Sequence, residues 1–242
     1  MEQKNWLVKT GDFFFKYRNM LFPLLLLTLF LSYRAPHEYN GSEQAEEIKD
    51  FIAEVIVFLG LALRSAVIGY KYIKRGGLNK KVYAEKLVTD GFFGLCRNPL
   101  YVGNLIIYFG VLLMHGSPMV IVLGMVFFLF VYTAIVSAEE FFLRKEFGEA
   151  YAEYCRDVPR WGIKFWRFRE ATEGMHFNLK RALVKDYSTI ANAIVSLTFL
   201  EFLEDEEAYT HADDMLFAAI VGTVVVVALA IRIAKRRGML VA

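Results

Sequence analysis

Apolar residues along this chain are gathered into six blocks, and polar or charged stretches separate them. A helix needs about 20 residues to cross the roughly 30 Å of hydrocarbon in a bilayer. Blocks of nearly this length indicate membrane-spanning helices rather than the amphipathic helices of a soluble domain. The six blocks are residues 20–33, 51–70, 99–115, 119–138, 187–203 and 215–233.

Two of these blocks are shorter than a full span. The first reaches the required length only when Phe13, Phe14 and Phe15 are added before it. The fifth is short and contains Glu201, which makes it the weakest of the six. A cleavable signal peptide is the alternative interpretation of the first block, although the bulky Tyr33 behind it does not suit a cleavage site.

Basic residues are distributed unevenly between the connections. Lys and Arg concentrate in the N-terminal segment, in residues 71–97 and 140–185, and after the last block, whereas the other connections are acidic or very short. The positive-inside rule places the basic connections in the cytoplasm. The sequence therefore predicts an all-α, polytopic membrane protein with about six transmembrane helices and cytoplasmic N and C termini.

The stretch after residue 139 predicts one further helix, in which apolar residues recur at helical spacing between charged ones. A helix of this kind lies in the plane of the membrane interface, here on the cytoplasmic side. We divide the chain into an N-terminal segment with the first span (1–48), a core (49–169) and a C-terminal hairpin (170–242). The spaced residues are Leu143, Phe147, Ala150, Tyr151 and Tyr154.

Composition excludes several kinds of site. The net charge is only +2, and no basic stripe with interleaved aromatic residues indicates nucleic-acid binding. No group of Cys and His has the spacing of a metal site. Cys96 and Cys155 are both predicted on the cytoplasmic side, so no disulfide is expected. His115 lies in a predicted outer turn, where we expect it to be solvated.

Arg64 interrupts the second block. A charge at that depth usually faces a polar cavity or a charged partner. A long basic side chain near a helix end can also extend to the interface and keep its charge in water. The sequence leaves both interpretations open.

The stretch before the third block contains Asn98 and Pro99, which suit the N-cap and the first position of a helix. Helix initiation explains these two residues, but not Gly91 before them or Tyr101 after them. Glycine leaves backbone N–H groups approachable, and a helix N-terminus adds partial positive charge. Such a place favours a carboxylate, with Arg97 near enough to pair with it.

An acidic pair, Glu139 and Glu140, ends the fourth block. A solvated helix end is the ordinary interpretation of such a pair. Two carboxylates at a helix C-terminus oppose the helix dipole, however, so they are better explained if they receive a cation or hydroxyl donors. The hairpin of the third and fourth helices would bring this pair and the start of the third helix to one membrane depth. S-adenosylmethionine has the carboxylate, ammonium, ribose hydroxyls and positive centre that would fit between them.

These residues resemble a family pattern. The sequence Gly-x-x-x-x-x-Arg-Asn-Pro-x-Tyr-x-Gly from Gly91 to Gly103, a hydrophobic hairpin and then Glu-Glu is similar to that of the integral-membrane methyltransferases. These include the isoprenylcysteine carboxyl methyltransferases and the phospholipid N-methyltransferases. The resemblance covers residues 53–163. Asn98 stands where His is commoner and cannot titrate near neutral pH, and Phe92 stands where the family often has Pro.

The resemblance implies S-adenosylmethionine as cofactor in a pocket that faces the cytoplasm, and a lipid-like or lipidated substrate that enters from the bilayer. It implies that Arg160 and Glu140 are the candidate catalytic residues, with no metal. The residues implied to bind the cofactor are Gly91, Arg97, Asn98, Pro99, Tyr101, Glu139 and Glu140.

The implied reaction is methyl transfer to a lipophilic or membrane-associated carboxylate, amine or thiol. Orientation of the reactants and exclusion of water would supply most of the catalysis. If the acceptor is an amine, Glu140 is the nearest plausible proton acceptor. Two other classes remain open: an NADPH-dependent reductase on a related membrane scaffold, and a non-catalytic membrane protein.

Overall fold

The structure is a computed structural model that describes residues 3–33, 35–36, 42–71, 82–204 and 211–240. Over these residues it contains helices and no strand, which confirms the predicted all-α class. Short 3-10 turns at Gly91–Gly94 and Phe165–Arg167 connect the helices. The helices are α1 (Trp6–Ser32), α2 (Glu43–Tyr70), α3 (Pro99–Met114), α4 (Pro118–Asp157), α5 (Phe168–Ala171), α6 (Leu179–Glu204) and α7 (His211–Arg236). Residues 72–81 of the predicted basic connection 71–97 lie outside the described part.

Within the described residues, four helices are long and apolar enough to cross a membrane: α1, α2, α4 and α7. Of the six predicted spans, the third is a helix of 16 residues, α3, and the fifth is α6, which is not among the four. Many large apolar side chains on α1 and α7 are exposed, as expected for helices that face lipid. The six spans and the orientation of the termini stay predictions.

The most extensive contacts between helices are those of α2 with α3 and of α1 with α4. Ala53 and Val57 of α2 share one buried cluster with Ile107 and Val111 of α3. On the other side, a Cβ atom at Gly11 of α1 would collide with the backbone of α4. Because only glycine permits this close approach, Gly11 defines which part of α1 packs against Ala134 of α4.

Arg64 has a partner inside the protein, which decides between the two interpretations that the sequence leaves open. Its guanidinium makes a two-point ion pair with Asp186 of α6, with Nε 2.9 Å from Oδ2. Only 4% of Arg64 is exposed and none of Asp186. The same guanidinium donates to the backbone of Leu100 and to the side chains of Asn104 and Thr189. The helix α6, which follows the core segment, is therefore joined to α2 and α3 through a buried charge pair.

The end of the fourth helix was predicted wrongly. The helix α4 continues without a break through Glu139 and Glu140, and its backbone leaves helical geometry only at Gly148, with φ 52° and ψ −122°. The apolar block ends at residue 138, but the residues that follow are good helix formers and extend the helix into a polar environment. The argument from an opposed helix dipole therefore does not apply to the acidic pair. The predicted interfacial helix is the last part of α4, and its place in the interface stays a prediction.

The prediction that His115 is solvated was also wrong, because its side chain is fully buried. Its Nε2 donates to the carbonyl oxygen of Tyr33 at 3.0 Å, and its ring stacks on Phe30. Lys49 is buried beside this turn and donates to the carbonyl of Met114. The turn between α3 and α4 is thus sealed by contacts from α1 and α2.

Candidate functional site

The start of α3 meets the middle of α4 through Tyr101 and Glu139. The phenol of Tyr101 donates a hydrogen bond of 2.6 Å to Oε1 of Glu139. The two stretches that were predicted to face each other therefore do so. The ring of Tyr101 also lies against the ring of Tyr132, whose hydroxyl accepts a hydrogen bond from Asn104 at 2.8 Å.

The second carboxylate, Glu140, lies between two arginines. Its Oε1 is 3.1 Å from Nη1 of Arg97 and 3.1 Å from Nε of Arg160. Arg160 also donates to the hydroxyl of Ser137 at 2.8 Å, and Arg97 donates to the sulfur of Cys155 at 2.8 Å. Two guanidinium groups and one carboxylate leave a net charge of +1 in this cluster.

The ion pairs of this cluster have short distances but not the alignment of hydrogen bonds. Within the described residues, Nε of Arg97, Nε of Arg160 and Oε1 of Glu140 are buried and have no hydrogen-bond partner. Buried polar atoms without partners are rare, because each one costs free energy. The cluster therefore retains donors for an anion and an acceptor for a hydroxyl or ammonium group.

Burial by itself would lower the pKa of Arg97, because a buried guanidinium loses hydration. The carboxylate of Glu140 and the other groups nearby more than offset this effect and raise the pKa above its ordinary value. Arg97 is therefore positively charged at any pH at which the protein is folded. A permanent positive charge suits a residue that holds a carboxylate.

Asn98 stands at the N-cap position of α3, but its side chain does not cap the helix. Its amide donates instead to the carbonyl oxygen of Arg160 at 3.0 Å. Two backbone hydrogen bonds lie beside this contact, from Arg97 to Pro159 at 2.9 Å and from Lys164 to Leu95 at 3.1 Å. The segment after α4, residues 158–164, is thus bound along the segment before α3. This return segment places Arg160 beside Glu140.

Gly91 and Pro99 occupy the positions that backbone geometry requires. Gly91 has a φ of 62°, a conformation that favours glycine, and it begins the 3-10 turn before α3. Pro99 is buried in the first turn of α3. Within the described residues, neither contacts the acidic pair, so their predicted role in cofactor binding stays a prediction.

Cys96 is buried next to these residues, with its sulfur 3.5 Å from the carbonyl oxygens of Arg160 and Trp161. Burial raises the pKa of its thiol to about 11. A thiol with this pKa is protonated at neutral pH and is a poor nucleophile. Cys96 is a packed residue of the return segment's binding surface.

Arg18 of α1 also reaches the site, although nothing in the sequence pattern predicts it there. Its Nη1 donates to the hydroxyl of Tyr101 at 3.3 Å. The N-terminal basic residues predict only the orientation of the chain, because an isolated arginine among aromatic residues does not show which helix it will face. Only the pairing of α1 with α4 reveals the contact.

Comparison with known proteins shows a similarity over part of the chain. Residues 55–150 match the phospholipid methyltransferase family. The cobalt-zinc-cadmium resistance protein CzcN of Cupriavidus metallidurans is 37% identical over 91 residues, which are 37% of this chain and 42% of that protein. The chain thus covers less than half of the length of this relative. No solved structure matches the chain.

The matched residues include α3, the first part of α4 and all of the predicted cofactor-binding positions. Over residues 55–150 the chain is therefore similar to the phospholipid methyltransferase family, and its resemblance to the integral-membrane methyltransferases is confirmed.

Proposed function

We propose that this protein is an integral-membrane methyltransferase that uses S-adenosylmethionine. The proposed acceptor is a lipophilic or membrane-associated carboxylate, amine or thiol. One observation supports the proposal most: Glu139 binds Tyr101, while Glu140 lies between Arg97 and Arg160. All of these residues except Arg160 lie within the segment that matches the family. Four apolar helices and the family itself support an integral membrane protein.

The residues present suit the proposed cofactor. The buried Nε atoms of Arg97 and Arg160 have no hydrogen-bond partner among the described residues and can bind a carboxylate. The oxygens of Glu139 and Glu140 can accept hydrogen bonds from hydroxyl and ammonium groups. When bound, the cofactor supplies an electrophilic methyl group on a sulfonium centre.

The protein contributes positioning rather than a dedicated acid or base. Arg97 and Arg160 would fix one end of the ligand, and Tyr101 would orient the carboxylate of Glu139. Glu140 already shares its charge with two guanidinium groups, so we propose an anchoring role for it. Holding the reactants in line and excluding water can supply a large part of a rate enhancement.

We propose that the site faces the cytoplasm and that both termini lie on the same side. The basic residues of the connections near Arg97 and Arg160 support this orientation. We also propose that α3 and α6 complete a bundle of six spans. The helix α3 measures about 24 Å at 1.5 Å per residue, so the bilayer would be covered only with help from its neighbours. The buried pair of Arg64 and Asp186 supports a place for α6 inside the bundle.

Titration calorimetry in detergent tests the proposed cofactor. The protein is expected to bind S-adenosylhomocysteine and not NADPH. Glu139→Gln and Tyr101→Phe should each weaken this binding by about 1–3 kcal/mol, the range for a lost hydrogen bond to a charged or buried group. Glu146→Gln is the matched control, because Glu146 is an exposed carboxylate on the same helix. Binding of NADPH alone would instead support a reductase.

Transfer of a labelled methyl group tests the acceptor. Purified membranes that contain the protein are incubated with labelled S-adenosylmethionine, and the label is then measured in the lipid, protein and small-molecule fractions. Label above the level of the Glu139→Gln variant in one fraction identifies the acceptor class. Binding of S-adenosylhomocysteine without transfer into any fraction would contradict a methyltransferase role.

A further inference from the structure

Arg18 belongs to a part of the chain that lies outside the family segment of residues 55–150. Its guanidinium is half-buried between α1 and the start of α3. Within the described residues, the side chain makes one hydrogen bond, the contact of 3.3 Å to the hydroxyl of Tyr101. That hydroxyl in turn donates to Glu139. A positive side chain from α1 is thus connected to a carboxylate of the proposed site through one phenol.

The packing of α1 on α4 gives this contact a fixed geometry. Gly11 allows the backbone of α1 to approach Ala134, and a Cβ at that position would collide with its carbonyl. Phe22 lies one turn beyond Arg18 and inserts its ring edge-on against Phe128 and Tyr132 of α4. Contacts both before and after Arg18 therefore hold this part of α1 against α4.

We propose that Arg18 is a positioning residue for the cofactor site, and this inference rests on the function proposed above. Its N–H group occupies a lone pair of the Tyr101 oxygen, so the phenolic proton is directed toward Oε1 of Glu139. Its charge also lies near enough to interact with the carboxylate of Glu139. Within the described residues, Oε2 of Glu139 accepts no hydrogen bond, so this oxygen is left for the ligand.

A purely structural role would predict a different behaviour. An arginine that only anchors α1 at the interface would act on stability, and its effect on ligand affinity would not depend on the hydroxyl of Tyr101. An arginine that acts mainly through this hydroxyl loses most of its effect on affinity when the hydroxyl is removed. A double-mutant cycle separates these two cases.

The experiment measures the affinity of detergent-solubilised full-length protein for S-adenosylhomocysteine by calorimetry. Arg18→Met should weaken binding by about tenfold, as expected for a lost hydrogen bond in a partly buried site. Arg18→Lys keeps the charge and a donor, so it should recover most of the affinity. In a Tyr101→Phe background, Arg18→Met should cause a clearly smaller loss, because only the charge interaction with Glu139 is then left to remove. Lys16→Met is the matched control, because Lys16 is an exposed cation on the same helix.

Several results would overturn the positioning role of Arg18. Unchanged affinity in Arg18→Met overturns the proposal, and so does a loss of equal size with and without the Tyr101 hydroxyl. A lysine variant that binds no better than the methionine variant also overturns it. If Arg18→Met does not fold, as judged by its melting temperature, the lysine variant is compared with the unaltered protein in both Tyr101 backgrounds. Failure of the unaltered protein to bind S-adenosylhomocysteine refutes the proposed function itself, whereas binding that is insensitive to Arg18 refutes only the positioning role.

Discussion

Replacement of Asp186 by Asn tests whether α6 is part of the core. The change keeps the size of the side chain but removes the negative charge opposite Arg64. Arg64, which is 4% exposed, would then be a buried charge without the counter-charge of Asp186. Removing one partner of a buried ion pair typically costs about 3–5 kcal/mol. We expect the lower end, about 3 kcal/mol, since the hydrogen bonds of Arg64 to Leu100, Asn104 and Thr189 remain possible.

Replacement of both partners should cost less than replacement of either one. In the double variant Arg64→Met and Asp186→Leu, apolar groups fill the space and no charge is buried. Such replacements of a whole buried pair are often nearly neutral. The free energy of unfolding is measured by titration of mixed micelles with a denaturing detergent and monitored by helical circular dichroism. Arg167→Met, which removes an exposed ion pair with Glu170, is the control and should change stability very little, because water screens exposed ion pairs.

Two results would refute this reasoning. A cost below about 0.5 kcal/mol for Asp186→Asn would mean that water reaches the pair, because exposed pairs contribute that little. Additive losses in the double variant would mean that the two side chains do not interact. In either case α6 would be a peripheral helix rather than a support for α2 and α3.

Three further predictions concern other parts of the chain. Gly148→Ala should destabilise the protein by about 1–2 kcal/mol in a thermal melt, because its positive φ strains any other residue. Burial lowers the pKa of His115, and the Ser117 N–H group donates to Nδ1 of the neutral ring. The contribution of His115 to stability is therefore present above about pH 6.5 and is lost as the pH falls. The melting temperature should drop between about pH 7 and pH 5, and it should drop less in His115→Gln. With a pKa of about 11, Cys96 should resist alkylation at neutral pH, whereas the partly exposed Cys155 should react, as mass spectrometry would show. A flat stability profile with pH, or early labelling of Cys96, would contradict these explanations.

That the start of α3 and the acidic pair of α4 lie close together could be predicted from the sequence. Two consecutive apolar blocks joined by a short turn form a hairpin, and a hairpin brings the start of one helix to the depth of the end of the next. Hydrophobicity alone determines this depth. It does not determine where a helix ends, and α4 continues well past the last residue of its apolar block because helix formers follow.

Arg18 and Asp186 could not be placed from the sequence. Their partners Tyr101 and Arg64 lie 83 and 122 residues away along the chain. Contacts of this kind depend on the rotation of each helix about its axis and on which helices are neighbours. Neither property follows from the pattern of apolar residues, which in lipid-facing helices extends around the whole circumference.

The buried pair of Arg64 and Asp186 has a consequence for where this protein could be shortened. The family segment ends at residue 150, but the counter-charge for one of its own residues lies 36 positions beyond that limit, on α6. A chain cut before α6 would have to carry an uncompensated guanidinium among apolar side chains. The residues that match the family therefore do not form an independently folding unit. The helix α6 is needed for the stability of the segment that resembles other proteins.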